Sequence, residues 1–209
     1  MYMPAHFEET RVDVMHGLVR AHPLATWVVQ SADGLVVNHI PFLVDAARGA
    51  HGTLVGHVAR ANPVWHQLGS SVAVFQGPQA YVSPSWYPSK HAHGKAVPTW
   101  NYAVVHAHGT PRAIESRDEL LQIVTRLTRA HEDGQAAPWR VSDAPPDFID
   151  QMLKAIVGIE IPIERLVGKW KVSQNRPLAD RLGTAAGLVR QGDAQSLAMA
   201  ELVSPSGSA

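Results

Sequence analysis

The sequence predicts a mainly β protein with peripheral helices, folded as a closed or nearly closed antiparallel barrel. Two observations support this fold class: six or more β-rich segments follow one another closely, and helical patterns occur only at the edges of that series. No internal repeat or linker divides the 209 residues. We therefore expect a single domain over residues 1–203, including a C-terminal helix, and a disordered tail over residues 204–209.

The first third of the chain predicts one helix, a hairpin and a third strand. A capping pattern at Thr10 begins the helix, whose apolar stripe ends near Ala21. The run from Ala32 to Gly34 is a typical hairpin turn. Asn62 stands before a proline, which is the pattern of a capped short helix to about residue 68. The strands expected here cover residues 24–30, 35–44 and 52–58.

The rest of the chain predicts further strands and three more helices. Two short strands flank Gly77-Pro78, and a polar loop over residues 83–96 separates them from a long alternating strand. Ser116 begins a second capping box, and residues 168–176 form an aromatic and basic connector. The strands expected here cover residues 71–76, 79–82, 97–113 and 159–166, and the helices cover residues 116–131, 145–157 and 177–190.

Composition excludes several classes of protein. The absence of cysteine rules out disulfides, thiolate catalysis, Fe–S clusters and cysteine-type zinc sites. Lys plus Arg equals Asp plus Glu at 18 each, so DNA is a possible partner that the charge does not support. No apolar run is long enough to span a bilayer and no signal-peptide pattern is present, which predicts a cytoplasmic protein without a membrane partner.

Residues 81–102 are the most informative part of the chain, since they hold two of the six tryptophans and three of the four tyrosines. Ser, Thr, Asn and Lys are interleaved with these rings, which is typical of a pocket for a flat, phosphorylated aromatic ligand. Alternation places Trp100, Tyr102, His106 and His108 on one strand face. Large rings on an outer face need a cover, which a ligand, a second subunit or an interface holding ligands would provide.

This window offers no catalytic machinery of its own. There is no Gly-x-Ser-x-Gly elbow, no dinucleotide-binding or P-loop motif, and no carboxylate pair. Any chemistry would therefore come from a cofactor, and whether the protein is an enzyme stays open. The pairs His91/His93, in a mobile loop, and His106/His108 lack a nearby third ligand, so no metal site is expected.

Several basic residues beside the aromatic segments are able to hold a phosphate. Each one taken singly is more simply a solvated surface charge. In an extended segment, however, Lys169 and Lys171 share one side while Trp170 takes the other, and three short polar side chains follow over residues 173–175. We expect this connector to contact a ligand, because so polar a run is costly to bury without partners. The basic residues are Arg60, Lys90, Lys95, Lys169, Lys171 and Arg176.

Seven blocks in order give the chain its resemblance to the PaiB-type FMN-binding proteins, a family of negative transcriptional regulators. The blocks are MYMPAHF, HPLATWV, NHIPF, GTLVGHVARANPVW, GPQAYVSPSWYPSK, VPTWNYAVVHAHG and GKWKVSQNR, which together span nearly the whole sequence. The resemblance implies an antiparallel split β-barrel of the FMN-binding type. It also implies a homodimer that holds FMN at the subunit interface.

The resemblance also implies the residues of the site. In related split barrels the segment that matches GHVARANP presents basic and polar groups to the flavin phosphate, which implies Arg60 and Asn62. The two aromatic blocks and the C-terminal connector would supply the other contacts. The cofactor-binding residues implied are Arg60, Asn62, Ser83, Ser85, Trp86, Tyr87, Thr99, Trp100, Asn101, Lys169, Lys171, Ser173, Gln174 and Asn175.

Haem is the alternative cofactor, because related split barrels include haem-degrading proteins and the PaiB-like piperazate synthases. In a haem protein His57 would be the axial ligand, with His39 as the second choice. The alternative functions are therefore a flavin-dependent oxidoreductase, a haem-binding enzyme, and a binding module without a cofactor. The leading expectation is an FMN-binding protein that resembles the PaiB-type transcriptional regulators. No DNA-binding helix pair is recognisable, so in the alternatives any regulatory role is indirect.

Overall fold

The computed structural model describes residues 1–204, so all of the predicted tail over residues 204–209 except Ser204 lies outside the described residues. The helices are α1 (Val12–Ala21), α2 (Pro88–His93), α3 (Arg117–Glu132), α4 (Pro146–Lys154), α5 (Leu178–Gln191) and α6 (Ala194–Val203). The strands are β1 (Glu8–Glu9), β2 (Leu24–Ser31), β3 (Gly34–Pro41), β4 (Leu43–Asp45), β5 (Thr53–Ala59), β6 (Ser71–Val82), β7 (Thr99–Gly109), β8 (Arg112–Ile114), β9 (Ile156–Pro162) and β10 (Arg165–Lys171).

The chain forms two compact units, each built from separate segments. The first unit contains Met1–Met15, Gln76–Val105 and the chain from Val167 onward. The second contains His16–Phe75 and His106–Leu166. The expectation of a single domain over residues 1–203 stays a prediction.

In the first unit the strand order is β1-β10-β7-β6, with Glu8 opposite Lys169 in an antiparallel pair. Helices α5 and α6 contact each other, and their buried side chains join Ala80 and Val172 of the sheet side in one apolar cluster. The partly buried rings of Trp86 and Trp170 pack against this cluster. The first unit is therefore a short sheet held by a C-terminal helix pair.

The second unit contains two sets of strands, in the orders β6-β2-β3 and β4-β5-β9-β8. Strands β2 and β3 form the predicted hairpin, in which Val28 lies opposite Val37 and Ser31 lies opposite Gly34. Helix α3 covers one side of the second set through Ile123 and Leu127, which cluster with Val55. These antiparallel pairings, together with helices at the periphery, confirm the mainly β fold class.

Three predicted strands were wrong in extent. The strand predicted over residues 97–113 is two, β7 and β8, with Pro111 between them, and proline acts differently in the other two places. The predicted strand over residues 35–44 is two strands, since Pro41 has no N–H to donate and the amide of Phe42 donates to Pro23 O at 2.9 Å instead. The phenyl ring of Phe42 is buried at 1% exposure. Gly77-Pro78, by contrast, lies inside the continuous strand β6 and does not separate two strands.

The C-terminal third also departs from the sequence prediction. The predicted strand over residues 159–166 and the connector after it are two strands, β9 and β10, so Lys169 and Lys171 lie in a sheet. Helix α6 was not predicted, although Asp193 caps it by accepting from Ser196 N at 3.0 Å. Residues 88–93, expected in a mobile loop, form α2, which carries His91 and His93.

Candidate functional site

A small polar cleft in the first unit brings together five of the fourteen residues implied as cofactor ligands. The turn after β10 supplies Ser173 and Asn175, β10 supplies Lys171, and the start of β7 supplies Thr99 and Asn101. Two residues outside the implied set complete the lining, Phe7 and Arg176. The cleft therefore combines two cations with hydroxyl and amide groups.

Lys171 is the central cation of this cleft. Its ammonium donates to Thr99 Oγ1 at 2.5 Å and to Trp100 O at 2.7 Å. An ammonium has three donors, so one remains for a ligand. Burial lowers the pKa of Lys171, and the positive charges of Lys169 and Arg176 lower it further. An anion in the cleft would offset both effects.

The turn at residues 173–176 is fixed by local hydrogen bonds. Ser173 has φ of 65°, a left-handed conformation that side chains rarely adopt, and Arg176 N donates to Ser173 O at 2.9 Å. Asn101 Nδ2 donates to Ser173 Oγ at 2.9 Å, which ties the turn to β7. Gln174 accepts from Val172 N at 2.8 Å and so caps the end of the strand. Such backbone strain is concentrated at binding sites.

Lys169 has a different environment from Lys171. It is buried at 7% exposure, and its ammonium donates to Tyr2 O at 3.0 Å. The rings of Tyr2 and Tyr102 lie 5.8 and 5.5 Å from the same nitrogen. Lys169 therefore binds the N-terminal segment to the sheet. The predicted alternation is confirmed, since Trp170 packs against the apolar cluster instead.

The segment from Ser83 to Tyr87 is held on α5 by Trp86. A Cβ on Gly187 would lie 2.2 Å from the Trp86 ring, and one on Gly183 would lie 2.0 Å from Trp86 O. Glycine at these two positions, one helical turn apart, lets the indole lie directly on the helix backbone. Ser83 caps the following turn by accepting from Ser85 N at 3.2 Å.

Tyr87 is fully buried, and the Arg176 guanidinium lies 5.0 Å from its ring centre. Burial raises the pKa of the Tyr87 phenol, so the group is neutral at physiological pH. Trp100, in contrast, is 49% exposed, and its indole donates to Gln79 Oε1 at 3.2 Å. Trp100 also makes an edge contact with the exposed ring of Tyr81 at 6.3 Å.

Arg60 and Asn62, the implied phosphate ligands of the GHVARANP segment, lie in the second unit. The guanidinium of Arg60 donates to the carbonyls of Lys154 and Ile156 and to Glu115 Oε2, at 2.9, 3.1 and 2.7 Å. Asn62 caps the turn over residues 63–66 by accepting from Val64 N at 3.0 Å, as predicted. The cofactor role of both residues stays a prediction.

Arg60→Ala is expected to lower the free energy of unfolding by about 2 kcal/mol, because hydrogen bonds from charged groups contribute about 1.5–3 kcal/mol and two carbonyls would lose their donor. Urea denaturation measures this loss. The matched control is Arg190→Ala, since Arg190 is exposed and has no side-chain partner among residues 1–204. Equal stability of both variants would contradict a structural role for Arg60. FMN affinity of the same Arg60 variant tests its implied cofactor role.

The histidines of the second unit have different surroundings. His57, on β5, is half-buried; its Nδ1 is buried with no hydrogen-bond partner among residues 1–204, and burial lowers its pKa. His106 and His108 lie on the outer face of β7 with ring centres 6.2 Å apart. Burial, together with repulsion from His108 and Arg165, lowers the pKa of His106 to about 4. His106 is thus neutral at physiological pH.

The lowered pKa of His106 predicts an acid-sensitive fold. In the unfolded chain the imidazole takes up a proton near pH 6.5, whereas in the folded protein it resists protonation until about pH 4. Above pH 6.5 the neutral His106 therefore does not lower the free energy of unfolding. Between pH 6.5 and about 4 the free energy of unfolding falls, because the unfolded chain binds a proton that the folded protein does not. His106→Asn is expected to reduce the loss of melting temperature over this interval, and the exposed control His91→Asn is not. Parallel melting curves for both variants would contradict the assignment.

The comparisons with known proteins agree with the blocks in the sequence. The family model described as "Putative FMN-binding domain" matches residues 1–165. The chain is also 30% identical over 206 residues to the protease synthase and sporulation protein PAI 2 of Bacillus subtilis, covering 97% of this chain and 96% of that protein. The chain belongs to the PaiB-type FMN-binding family.

FMN is the cofactor of this PaiB-type family. The family model ends before Lys171, whereas the Bacillus relative aligns over almost the whole chain, including the share that contains the cleft. Phe7 and Arg176 are the cleft residues absent from the implied set. Both lie inside recognised blocks, MYMPAHF and GKWKVSQNR, so block membership was the signal that could have identified them, and Arg176 was already among the basic residues able to hold a phosphate.

Solved structures show the same fold. The FAD and haem binding protein from Mycobacterium smegmatis has a TM-score of 0.60 at 16% identity, over 78% of this chain and 73% of that chain. The flavocytochrome Anf3 from Azotobacter vinelandii has a TM-score of 0.59 at 11% identity, over 81% and 72% of the two chains. The PaiB-type protein is therefore a split β-barrel. Within residues 1–204, no helix is both long and apolar enough to cross a bilayer.

Proposed function

We propose that this protein is a homodimeric FMN-binding protein whose cleft at Lys171 holds the phosphate end of the flavin. The observation that carries this proposal is the ammonium of Lys171, which has one hydrogen-bond donor free. It lies in a cleft that is also lined by Arg176, Asn101, Ser173 and Asn175. Charge-assisted hydrogen bonds from lysine and arginine are the usual way in which proteins hold phosphate.

The chemistry of this donor set suits a phosphate monoester. Lys171 and Arg176 supply positive charge, and the amide of Asn175 and the hydroxyl of Thr99 supply neutral hydrogen-bonding groups. Because the burial that lowers the pKa of Lys171 disfavours its charged form, a bound anion would stabilise that form. The free energy thus recovered contributes to phosphate affinity.

The dimensions of the cleft support a second subunit at the site. Its volume is about 50 Å³, enough for a phosphate group but far below the roughly 300–1,000 Å³ of a typical small-molecule pocket. The isoalloxazine ring therefore needs another wall. A second copy of the chain would supply it, which is why we assign the flavin to a homodimer interface.

Exposed apolar side chains support self-association. In the second unit, Leu35 and Val37 of the edge strand β3 are 70% and 55% exposed. In the first unit, Tyr81 and Trp100 form an aromatic pair that is exposed by nearly half. Clusters of large apolar groups on a sheet face are typical of interfaces. The outer face of β7, predicted to need a cover, is part of the surface that a second subunit would bury.

FMN would supply one- and two-electron redox chemistry when bound. The residues of the cleft bind and orient it: Lys171 and Arg176 attract the phosphate, and the Asn101–Ser173 hydrogen bond keeps the turn in place. The cleft contains no aspartate, glutamate or histidine among its described lining residues, so we assign no residue there to proton transfer.

The absorption spectrum of freshly purified protein tests the proposal. Flavin gives bands near about 370 and 450 nm, and the protein is expected to show them or to gain them on reconstitution with FMN. Size-exclusion chromatography with light scattering measures the assembly, for which a dimer is expected. A colourless monomer that FMN cannot reconstitute would contradict both parts of the proposal.

Haem is the second candidate, and the specific observation behind it is His57. Its imidazole is half-buried, its pKa is lowered by burial, and its Nδ1 has no partner among residues 1–204. A neutral imidazole is the form that binds iron. A strong band near about 400 nm in the purified protein, lost in His57→Ala, would favour haem over flavin. Absence of this band after haem has been added to the purified protein would contradict haem as the cofactor.

The regulatory role proposed for the family would be indirect in this protein. Equal numbers of basic and acidic residues give no net charge to attract DNA phosphates. Gel-shift titration against a promoter fragment and random DNA, at several salt concentrations, tests this. We expect equal or absent binding at physiological salt, whereas a preference above about a thousandfold for one promoter would identify a direct regulator.

A further inference from the structure

A large cavity of the described residues shares no lining residue with the proposed flavin cleft. It lies wholly within the second unit, between α3, α4 and the turn over residues 141–143, and has a volume of about 640 Å³. That volume falls in the range of small-molecule pockets. None of the fourteen residues implied as cofactor ligands lines it. The family assignment and the flavin proposal therefore leave this cavity without a role.

Part of the cavity lining is apolar. Leu121 of α3, Val141 of the turn and Ile149 of α4 line it, and each is half-buried. Such side chains remain partly in contact with water unless a ligand covers them. An occupant of this part would therefore have an apolar body.

The charged part of the lining is cationic. Three arginines line it, and no aspartate or glutamate does among the described lining residues. Two of the arginines are neutralised from outside the cavity: Arg117 pairs with Asp150 at 2.5 Å, and Arg140 pairs with Asp133. Arg129 has no side-chain partner in the described part of the chain. The cavity thus carries one uncompensated positive charge.

Two hydroxyls also line the cavity. Thr128 precedes Arg129 in α3 and Ser142 lies in the facing turn, and within residues 1–204 neither hydroxyl has a hydrogen-bond partner. Thr125, in contrast, is satisfied, since its hydroxyl donates to Leu121 O at 2.6 Å. The lining therefore offers one free guanidinium and two free hydroxyls as hydrogen-bond donors to an anionic ligand.

The geometry points to a second ligand site that binds an organic carboxylate with an apolar body. The carboxylate would pair with the guanidinium of Arg129, whose planar fork matches the two oxygens. The apolar body would cover Leu121, Val141 and Ile149. A single surplus charge suits a monoanion better than a phosphate dianion. The site shares no residue with the flavin cleft.

The test uses FMN-saturated protein, so that the flavin cleft is occupied, and dansylaminoundecanoic acid as a fluorescent probe. Its methyl ester is the neutral probe of the same shape. We expect saturable binding of the acid, with affinity at least about tenfold above that of the ester, a difference of about 1.4 kcal/mol. Absence of binding to the saturated protein, or equal affinity for acid and ester, would overturn the proposal.

Variants locate the site. Arg129→Gln is expected to weaken binding of the acid about tenfold and to leave the ester unchanged. Arg190→Gln is the matched control, because Arg190 is likewise an exposed arginine in the last turn of a helix. Ser142→Glu places a carboxylate in the cavity lining without altering α3. Repulsion between this carboxylate and that of the probe is expected to weaken binding of the acid as well. Retention of full acid affinity by both cavity variants would contradict the assignment.

Discussion

Lys171→Ala is expected to raise the dissociation constant for FMN by about ten- to hundredfold, since a hydrogen bond from a charged donor contributes about 1.5–3 kcal/mol. The truncation also removes the ammonium that donates to Thr99 Oγ1 and to Trp100 O. These two hydrogen bonds connect β10 to the start of β7. Quenching of FMN fluorescence on addition of protein measures the constant.

Lys154→Ala is the matched control for this change. Lys154 is an exposed lysine in the last turn of α4, and it lies outside the residues that line the cleft. Its removal alters the net charge by the same amount and is expected to change FMN affinity less than about twofold. A loss of affinity that is equal in both variants would mean that Lys171 acts only through overall charge.

Glu160→Gln is expected to lower the free energy of unfolding by about 2–3 kcal/mol. The carboxylate of Glu160 is 6% exposed and accepts from Arg48 at 2.7 Å and from Arg112 at 2.6 Å. Breaking a fully buried ion pair costs about 3–5 kcal/mol, but the two arginines are 42% and 59% exposed, so water screens part of the loss. Urea denaturation of the variant, with Glu201→Gln as the exposed control, measures the difference.

The same site has a defined dependence on pH. Burial by itself would raise the pKa of Glu160, but hydrogen bonds from Arg48 and Arg112 outweigh it, and the net pKa is lowered. The contribution of Glu160 to stability is therefore present above the unfolded-state pKa of about 4.3 and is lost as the pH falls through the lower folded-state value. The stability difference between wild type and variant should shrink on acidification. A difference that stays constant down to about pH 3 would contradict this.

The fold could be predicted largely from local patterns in the sequence. The hairpin of β2 and β3 follows from the alternation on either side of Gly34, and Asn62 caps its turn as its position before Pro63 predicted. The ends of strands were harder to predict, because the effect of a proline depends on whether a neighbouring strand needs the N–H that proline lacks. Pro41 ends a strand and Pro78 does not, and the sequence alone does not distinguish them.

The candidate site could be predicted only in part, for a similar reason. Alternation correctly separated Trp170 from Lys169 and Lys171, but it did not reveal that Lys169 binds the N-terminal segment while Lys171 lines the cleft. That difference depends on partners far away in sequence, Tyr2 in one case and Thr99 in the other. Arg60 shows the same limit, since its three acceptors come from segments more than fifty residues downstream.

The preference of the protein for FMN over riboflavin tests the placement of the phosphate most directly, because the two ligands differ only in that group. We would measure both affinities by fluorescence quenching on the wild type and on a variant with Lys171→Ala and Arg176→Ala together. The wild type is expected to prefer FMN by at least about tenfold, or about 1.4 kcal/mol, and the double variant by less than about twofold. A preference for FMN that survives both substitutions would contradict the assignment of the phosphate to this cleft.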